Sequence, residues 1–276
     1  MTENPEISQT VMAAGIRTNY HDVGQGKPVM LLHGSGAGVS AFANWRLSLP
    51  VLGRDFRVLA PDIVGFGFTE RPVGASYTLE LWVKHALGFL DALGLACVDI
   101  VGNSFGGALA LALATRAPER VGRLVLMGSA GTGFELTAGL DAAWGYTPSL
   151  ENMRKLLDIF AFDRGLVTDD LARLRFEASI RPGFQESFSQ MFPAPRQRWI
   201  EAWATTDAAL RALPHQVLLI HGREDRVVPL SSSLRLLELI PRAELHVFGQ
   251  CGHWTQIEHA VRFNQLVANF CAAATR

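Results

Sequence analysis

The chain has 276 residues, 49% of them hydrophobic and 18% charged, with 26 glycines. This is globular composition for one large domain or two small ones, and it excludes a disordered chain, a coiled coil and a collagen-like repeat. A formal charge of -1 supplies no field to gather nucleic acid or an anionic membrane.

Met1 to Gln9 is polar and lacks the apolar run of a signal peptide. No segment reaches 18 uncharged apolar residues, so no membrane span is expected. Cys97, Cys251 and Cys271 are too dispersed for a disulfide framework or a ligand cluster, which suits a reducing compartment. Residues 16–21 alternate weakly and read as a strand. The turn Gly24-Gln25-Gly26 follows, then the apolar run Pro28 to Leu32, which ends in the glycine loop His33-Gly34-Ser35-Gly36-Ala37-Gly38. Phe56 to Ala60 is a further short β-prone run, closed by Pro61-Asp62. Residues 78–93 carry Leu79, Trp82, Val83, Ala86, Leu87 and Leu90 at helical spacing, with Gly94 as the stop. A strand over 98–101, a small-residue helix over 105–117 and a strand over 121–127 come next. This strand–helix alternation predicts a mostly parallel sheet covered on both faces.

The pattern then changes. Residues 133–213 show no strand signal and carry Trp144, Trp199 and Trp203. Helices are expected at 150–160, 168–179 and 198–210, in a helical lid inserted between the core segments 1–132 and 214–276. A strand at 217–221, a helix at 230–240, a strand at 244–248 and a closing helix from Glu258 to Ala272 complete the core.

Gly102-Asn103-Ser104-Phe105-Gly106 stands between an expected strand and an expected helix. In that setting G-x-S-x-G is a nucleophile elbow: the glycines make room for a strained turn that lifts Ser104 to the end of the sheet. A hydrolytic serine needs backbone donors for developing negative charge; they are assigned to Phe105, after the nucleophile, and Ser35, in the earlier glycine loop. That loop lacks a Walker lysine, which argues against phosphate binding. The strand at 217–221 runs into Gly222-Arg223-Glu224-Asp225, and the strand at 244–248 into Gly252-His253-Trp254. Asp225, with Glu224 as the competitor, is placed to orient His253 as the base. The order Ser104, Asp225, His253 is that of α/β-hydrolases. His33 reads as a structural histidine, and no metal-ligand spacing or cofactor motif is present. A serine at position 104 argues against chemistry that needs an aspartate nucleophile there.

His33-Gly34-Ser35-Gly36, Asn44-Trp45, Gly102-Asn103-Ser104-Phe105-Gly106-Gly107, Arg181, Gly222-Arg223-Glu224-Asp225 and Gly252-His253-Trp254 together resemble the meta-cleavage product hydrolases of aromatic catabolism. The resemblance runs from about Gly15 to Phe270 and points to members acting on 6-alkyl substrates from toluene or cumene. One departure is Ala37, where many members have proline. The resemblance implies an α/β-hydrolase fold with a helical lid, a homo-oligomer, no cofactor, no metal, and a small anionic dienoate as the partner; a cytoplasmic location is the expectation from composition and cysteine usage. Expected activity is hydrolysis of a carbon–carbon bond in 2-hydroxy-6-oxo-6-alkylhexa-2,4-dienoates, an ester hydrolase or a non-catalytic ligand-binding protein being the alternatives. It further implies that Arg181, Asn103, Asn44 and Trp254 bind the dienoate end, although Asn103 could instead brace the elbow and Arg181 could pair with Glu177. An apolar pocket is expected from Ala130, Phe134, Leu140, Trp144, Ile200, Trp203 and Val228.

Overall fold

The computed structural model describes residues 4–273; Met1 to Glu3, the start of the polar segment read above, and the last three residues lie outside it. Among the described residues eight strands form one sheet in the order β1-β2-β4-β3-β5-β6-β7-β8. β1 (Gln9–Ala13) and β2 (Ile16–Val23) make an antiparallel hairpin. Its two turn residues, Ala14 and Gly15, both have positive φ (50° and 84°), which matches the twist of a tight hairpin. β1 escapes the sequence reading because its side chains are mostly exposed and carry no apolar period. β3 (Pro28–Leu32), β4 (Arg57–Pro61), β5 (Val98–Asn103), β6 (Val121–Met127), β7 (Val217–Gly222) and β8 (Ala243–Phe248) run parallel.

Two short helices, α1 (Ala41–Trp45) and α2 (Leu49–Leu52), fill the β3–β4 connection. α3 (Leu79–Ala92) starts where the Thr78 hydroxyl accepts from the Leu81 amide. α4 (Phe105–Arg116) is buried along most of its length; its Gly and Ala residues let it lie close against the strands. Between β6 and β7 lie six α-helices: α5 (Ala138–Trp144), α6 (Leu150–Phe160), α7 (Asp169–Ser179), α8 (Phe184–Met191), α9 (Gln197–Trp203) and α10 (Asp207–Arg211). The single helix expected at 198–210 is therefore two, separated at Ala204-Thr205-Thr206, where Thr206 caps the second by accepting from the Ala209 amide. α11 (Leu230–Leu239), α12 (Thr255–Glu258) and α13 (Ala260–Ala272) finish the chain. No helix among the described residues is long and apolar enough to cross a membrane.

The core lies on both faces of the sheet, as a parallel sheet requires. An aromatic cluster fastens the inserted helices to it. Trp82 and Phe105 of the core meet Trp203, Trp82 also meets Phe192, and Trp144 packs on Phe192 and Trp203, with ring centroids 4.7 Å apart for Trp82–Phe105 and for Trp144–Phe192, and 4.8 Å for Phe105–Trp203.

Two buried histidines brace the loops under the site. His33 donates from Nδ1 to the Gly34 carbonyl (2.8 Å), and its Nε2 accepts from the Ile63 amide (3.0 Å). His85 contacts the Thr18 hydroxyl through Nε2 (2.8 Å), and its Nδ1 accepts from the Val64 amide (3.4 Å). Each ring is thereby held neutral, and burial pushes each pKa down to about 4. The unfolded chain takes up these protons near pH 6.5, whereas the native protein resists them until about pH 4. Stability should therefore fall on acidification through that window, by up to about 1.4 kcal/mol per pH unit for each histidine. Buried Asp62 acts in the opposite sense. Burial raises its pKa to about 6, so the native state gains on acidification from about pH 6 to 3.8 and offsets one histidine of the two. A melting temperature that drops steadily from pH 7 to 5 is expected; a flat or rising profile would refute the buried neutral rings.

Candidate active site

Ser104 sits at the β5–α4 junction with φ 54° and ψ −114°, a conformation rare for a residue with a side chain. Its amide donates to the Met127 carbonyl (2.9 Å) of the adjacent strand. A Cβ at Gly102 would come 2.5 Å from the Gly106 carbonyl oxygen, and one at Gly106 would run into the Leu32 carbonyl. The turn thus closes only with glycine at both positions. Phe105 opens α4, so its amide is at the first position of the helix, where an N–H has no intrahelical acceptor.

Asp225 and His253 follow the carboxyl ends of β7 and β8. Asp225 Oδ2 accepts from His253 Nδ1 at 2.7 Å. Its Oδ1 accepts from the amides of Val227 (2.7 Å) and Val228 (3.0 Å), which fix the carboxylate. Burial alone would raise the Asp225 pKa. His253 and His221, whose Nε2 lies 3.4 Å from Oδ2, outweigh it and hold the carboxyl well below the usual range. Glu224 faces elsewhere: its Oε2 accepts from the Cys251 amide at 3.0 Å and its Oε1 meets Arg223. The His253 amide donates to the Phe160 carbonyl at 2.7 Å, and Glu258 accepts from the amides of Gly252, Phe162 and Asp163. The histidine loop and the inserted helices are thus tied together.

Ser104 and His253 line one cavity with Ser35, Asn44, Asn103 and Trp254. The Ser35 hydroxyl accepts from the Trp144 indole (3.0 Å), which steadies the glycine loop. Asn103 is buried, and its amide nitrogen donates to the Met127 carbonyl at 3.4 Å. Asn44 is buried, and among the described residues nothing partners its Nδ2. Trp254 packs on Phe160 with ring centroids 5.4 Å apart.

Arg181 does not join them. It lies past the end of α7, pairs with Glu6 at 3.1 Å, and has its guanidinium carbon 5.1 Å from the Phe68 ring centroid. Its carboxylate partner is thus Glu6 and not Glu177, and Arg181 is not among the residues that line the cavity. The cavity's guanidinium is Arg175, whose Nη2 donates to the Gly38 carbonyl at 2.8 Å. A helical signal for it exists: Arg175 lies three residues after buried Ala172 and four before buried Ser179, on the inward face of α7.

The apolar wall also differs from expectation. Leu140 lines the cavity; Ala130, Phe134, Trp144, Ile200, Trp203 and Val228 are not among its lining residues. Trp144 and Trp203 are used in the aromatic cluster, and Val228 turns inward while its neighbour Val227 faces the cavity. The wall comes instead from Ala143 and from Met153, Leu156, Leu157 and Phe160, one stripe of α6 at three-to-four spacing.

The family model for the alpha/beta hydrolase fold matches residues 27–260. The chain therefore belongs to the α/β-hydrolase family, and within it to the meta-cleavage product hydrolases of the alkylbenzene subgroup. It is 64% identical to a 2-hydroxymuconate semialdehyde hydrolase of Pseudomonas sp. strain CF600, over 98% of this chain and 96% of that one. It is 62% identical to a 2-hydroxy-6-oxo-2,4-heptadienoate hydrolase of Pseudomonas putida, over 98% of each. A solved meta-cleavage product hydrolase from Pseudomonas fluorescens IP01, complexed with acetates, superposes with a TM-score of 0.96 at 66% identity. That match covers 97% of this chain and 98% of the other.

Proposed function

We propose that this chain hydrolyses the carbon–carbon bond beside the C6 ketone of 2-hydroxy-6-oxo-6-alkylhexa-2,4-dienoates, with a methyl or isopropyl substituent at C6. The observation that carries the reading is one cavity that joins the Ser104, His253 and Asp225 constellation to a cationic and amide-rich end at Arg175, Asn44 and Asn103. A neutral ester needs only the first half of that cavity.

The carboxylate and 2-oxygen of the dienoate would pair with Arg175 and the two asparagines, beside Trp254. The alkyl end would lie against Leu140 and the α6 stripe. The enol first gives its proton up as C5 gains one, which forms the keto tautomer. Ser104 then attacks C6 as His253 takes its proton, and Asp225 holds the imidazole with Nε2 free to accept. The C6 oxyanion is stabilised by the amides of Ser35 and Phe105. The C5–C6 bond breaks with its electron pair leaving on C5, delocalised into the conjugated ketoacid and protonated to 2-hydroxypenta-2,4-dienoate. Water, deprotonated by His253, releases the carboxylic acid and restores Ser104. A cytoplasmic homo-oligomer is the form this reading expects.

Arg175→Gln should lower kcat/KM for the dienoate by about 10²-fold, the value of a charge-assisted hydrogen bond of roughly 2–3 kcal/mol. Turnover of p-nitrophenyl acetate should fall far less. Arg181→Gln should change dienoate turnover less than about threefold and act on the melting temperature instead, by unpairing Glu6. Steady-state kinetics of both variants on both substrates checks this. Equal losses on ester and dienoate from Arg175→Gln would reject carboxylate recognition and favour the esterase reading.

A further inference from the structure

A second cavity abuts the catalytic one. Val39, Asn44, Arg175 and Trp254 belong to both walls, and Ala43, Arg46, Leu166, Leu171, Gln256 and Ile257 complete the second. It carries two guanidiniums and no acidic side chain. Arg46 donates from Nη1 to the Ala43 carbonyl at 2.8 Å, and Arg175 reaches the Gly38 carbonyl. Among the described residues neither has a carboxylate at ion-pair distance. Burial lowers the pKa of both guanidiniums. At Arg175 the nearby Glu6 opposes this and Arg46 adds to it. Two like charges beside one cavity, with the donor Nδ2 of Asn44 more than nine-tenths buried and unpartnered, leave unmet demand for an anion.

We propose that this second cavity is an antechamber for the carboxylate of an incoming organic anion, which Arg46 receives and hands across the shared wall to Arg175. The proposal rests on the dienoate reading above and extends it to how the substrate arrives. Arg46 opposes no reacting atom; it raises the local concentration of an anion at the mouth of the site, a contribution to kcat/KM that salt screens. A neutral ester has no carboxylate to receive.

The test is steady-state kinetics on 2-hydroxy-6-oxohepta-2,4-dienoate and on p-nitrophenyl acetate, from low to near-physiological ionic strength. Arg46→Gln should lower dienoate kcat/KM about fivefold at low salt through KM, with kcat retained and the gap narrowing as salt rises. Arg46→Lys should restore most of it, since a charge rather than a planar fork is needed. Leu171→Glu offers a second route. It places a carboxylate in the cavity from the first turn of α7, where a helix tolerates negative charge, and should cost the dienoate at least as much. Ester turnover should track wild type in all three. Equal losses on both substrates, no loss on the dienoate, or a loss confined to kcat, which would mean product release, each overturns the antechamber. Failure of the wild type to cleave the dienoate would instead reject the parent reading.

Discussion

Ser104→Ala is expected to fold, to bind the dienoate, and to lose turnover by about 10⁴- to 10⁶-fold, the range found when a hydrolase nucleophile is removed. The elbow does not depend on the hydroxyl. Its backbone is held by the Ser104 amide on Met127 and by the Ser104 carbonyl, which accepts from the amides of Gly107 and Ala130. Alanine meets the same positive φ, so the strain is unchanged. The measurement is loss of dienoate absorbance, with binding followed separately by the spectral shift of bound substrate. A variant retaining more than a tenth of wild-type kcat would remove Ser104 from the chemistry. Binding without turnover in the wild type as well would mark a ligand-binding protein.

Asp225→Asn should reduce kcat by about 10⁴-fold with the fold intact. The reason is visible in the hydrogen bonds. Oδ1 is already committed to the amides of Val227 and Val228, so an asparagine would keep its oxygen there. Its NH₂ group then faces His253 Nδ1, where Oδ2 now accepts. Two donors cannot face each other, so the imidazole moves its proton to Nε2 and can no longer take one from Ser104. Glu224→Gln should cost less than about tenfold, because Glu224 holds the Cys251 amide rather than the imidazole. A large loss from Glu224→Gln with a nearly silent Asp225→Asn would reverse the assignment.

Much of the architecture was legible because it rests on local rules. Apolar runs closed by glycine or proline marked β3, β5, β6 and β7, and the 3.6-residue period marked α3 and α6. β1, α1, α2, α5, α8 and α12 lack such a signal. Four are five to eight residues long and two are four, and segments this short give no period to read. They are set by what they pack on.

By itself the sequence determined the elbow and the loop order, and hence that Ser104, Asp225 and His253 lie at the same end of the sheet. A parallel sheet brings the carboxyl ends of its strands to one end, so residues just past β5, β7 and β8 share that end wherever the intervening chain goes. Which arginine turns inward was decided only in three dimensions. Arg175 and Arg181 are six residues apart and chemically alike, but the first rides the inward face of α7 and the second falls beyond the helix end, within reach of Glu6. The same holds for the cavity wall. Tryptophans and phenylalanines of equal hydrophobicity either pack between layers or line a void, and composition cannot say which. The aromatic cluster took Trp144 and Trp203 for fastening the inserted helices to α3 and α4, which left the α6 stripe to face the substrate space. Side-chain hydrophobicity does not distinguish the two placements, so only the mutual packing of elements far apart in the chain selects between them.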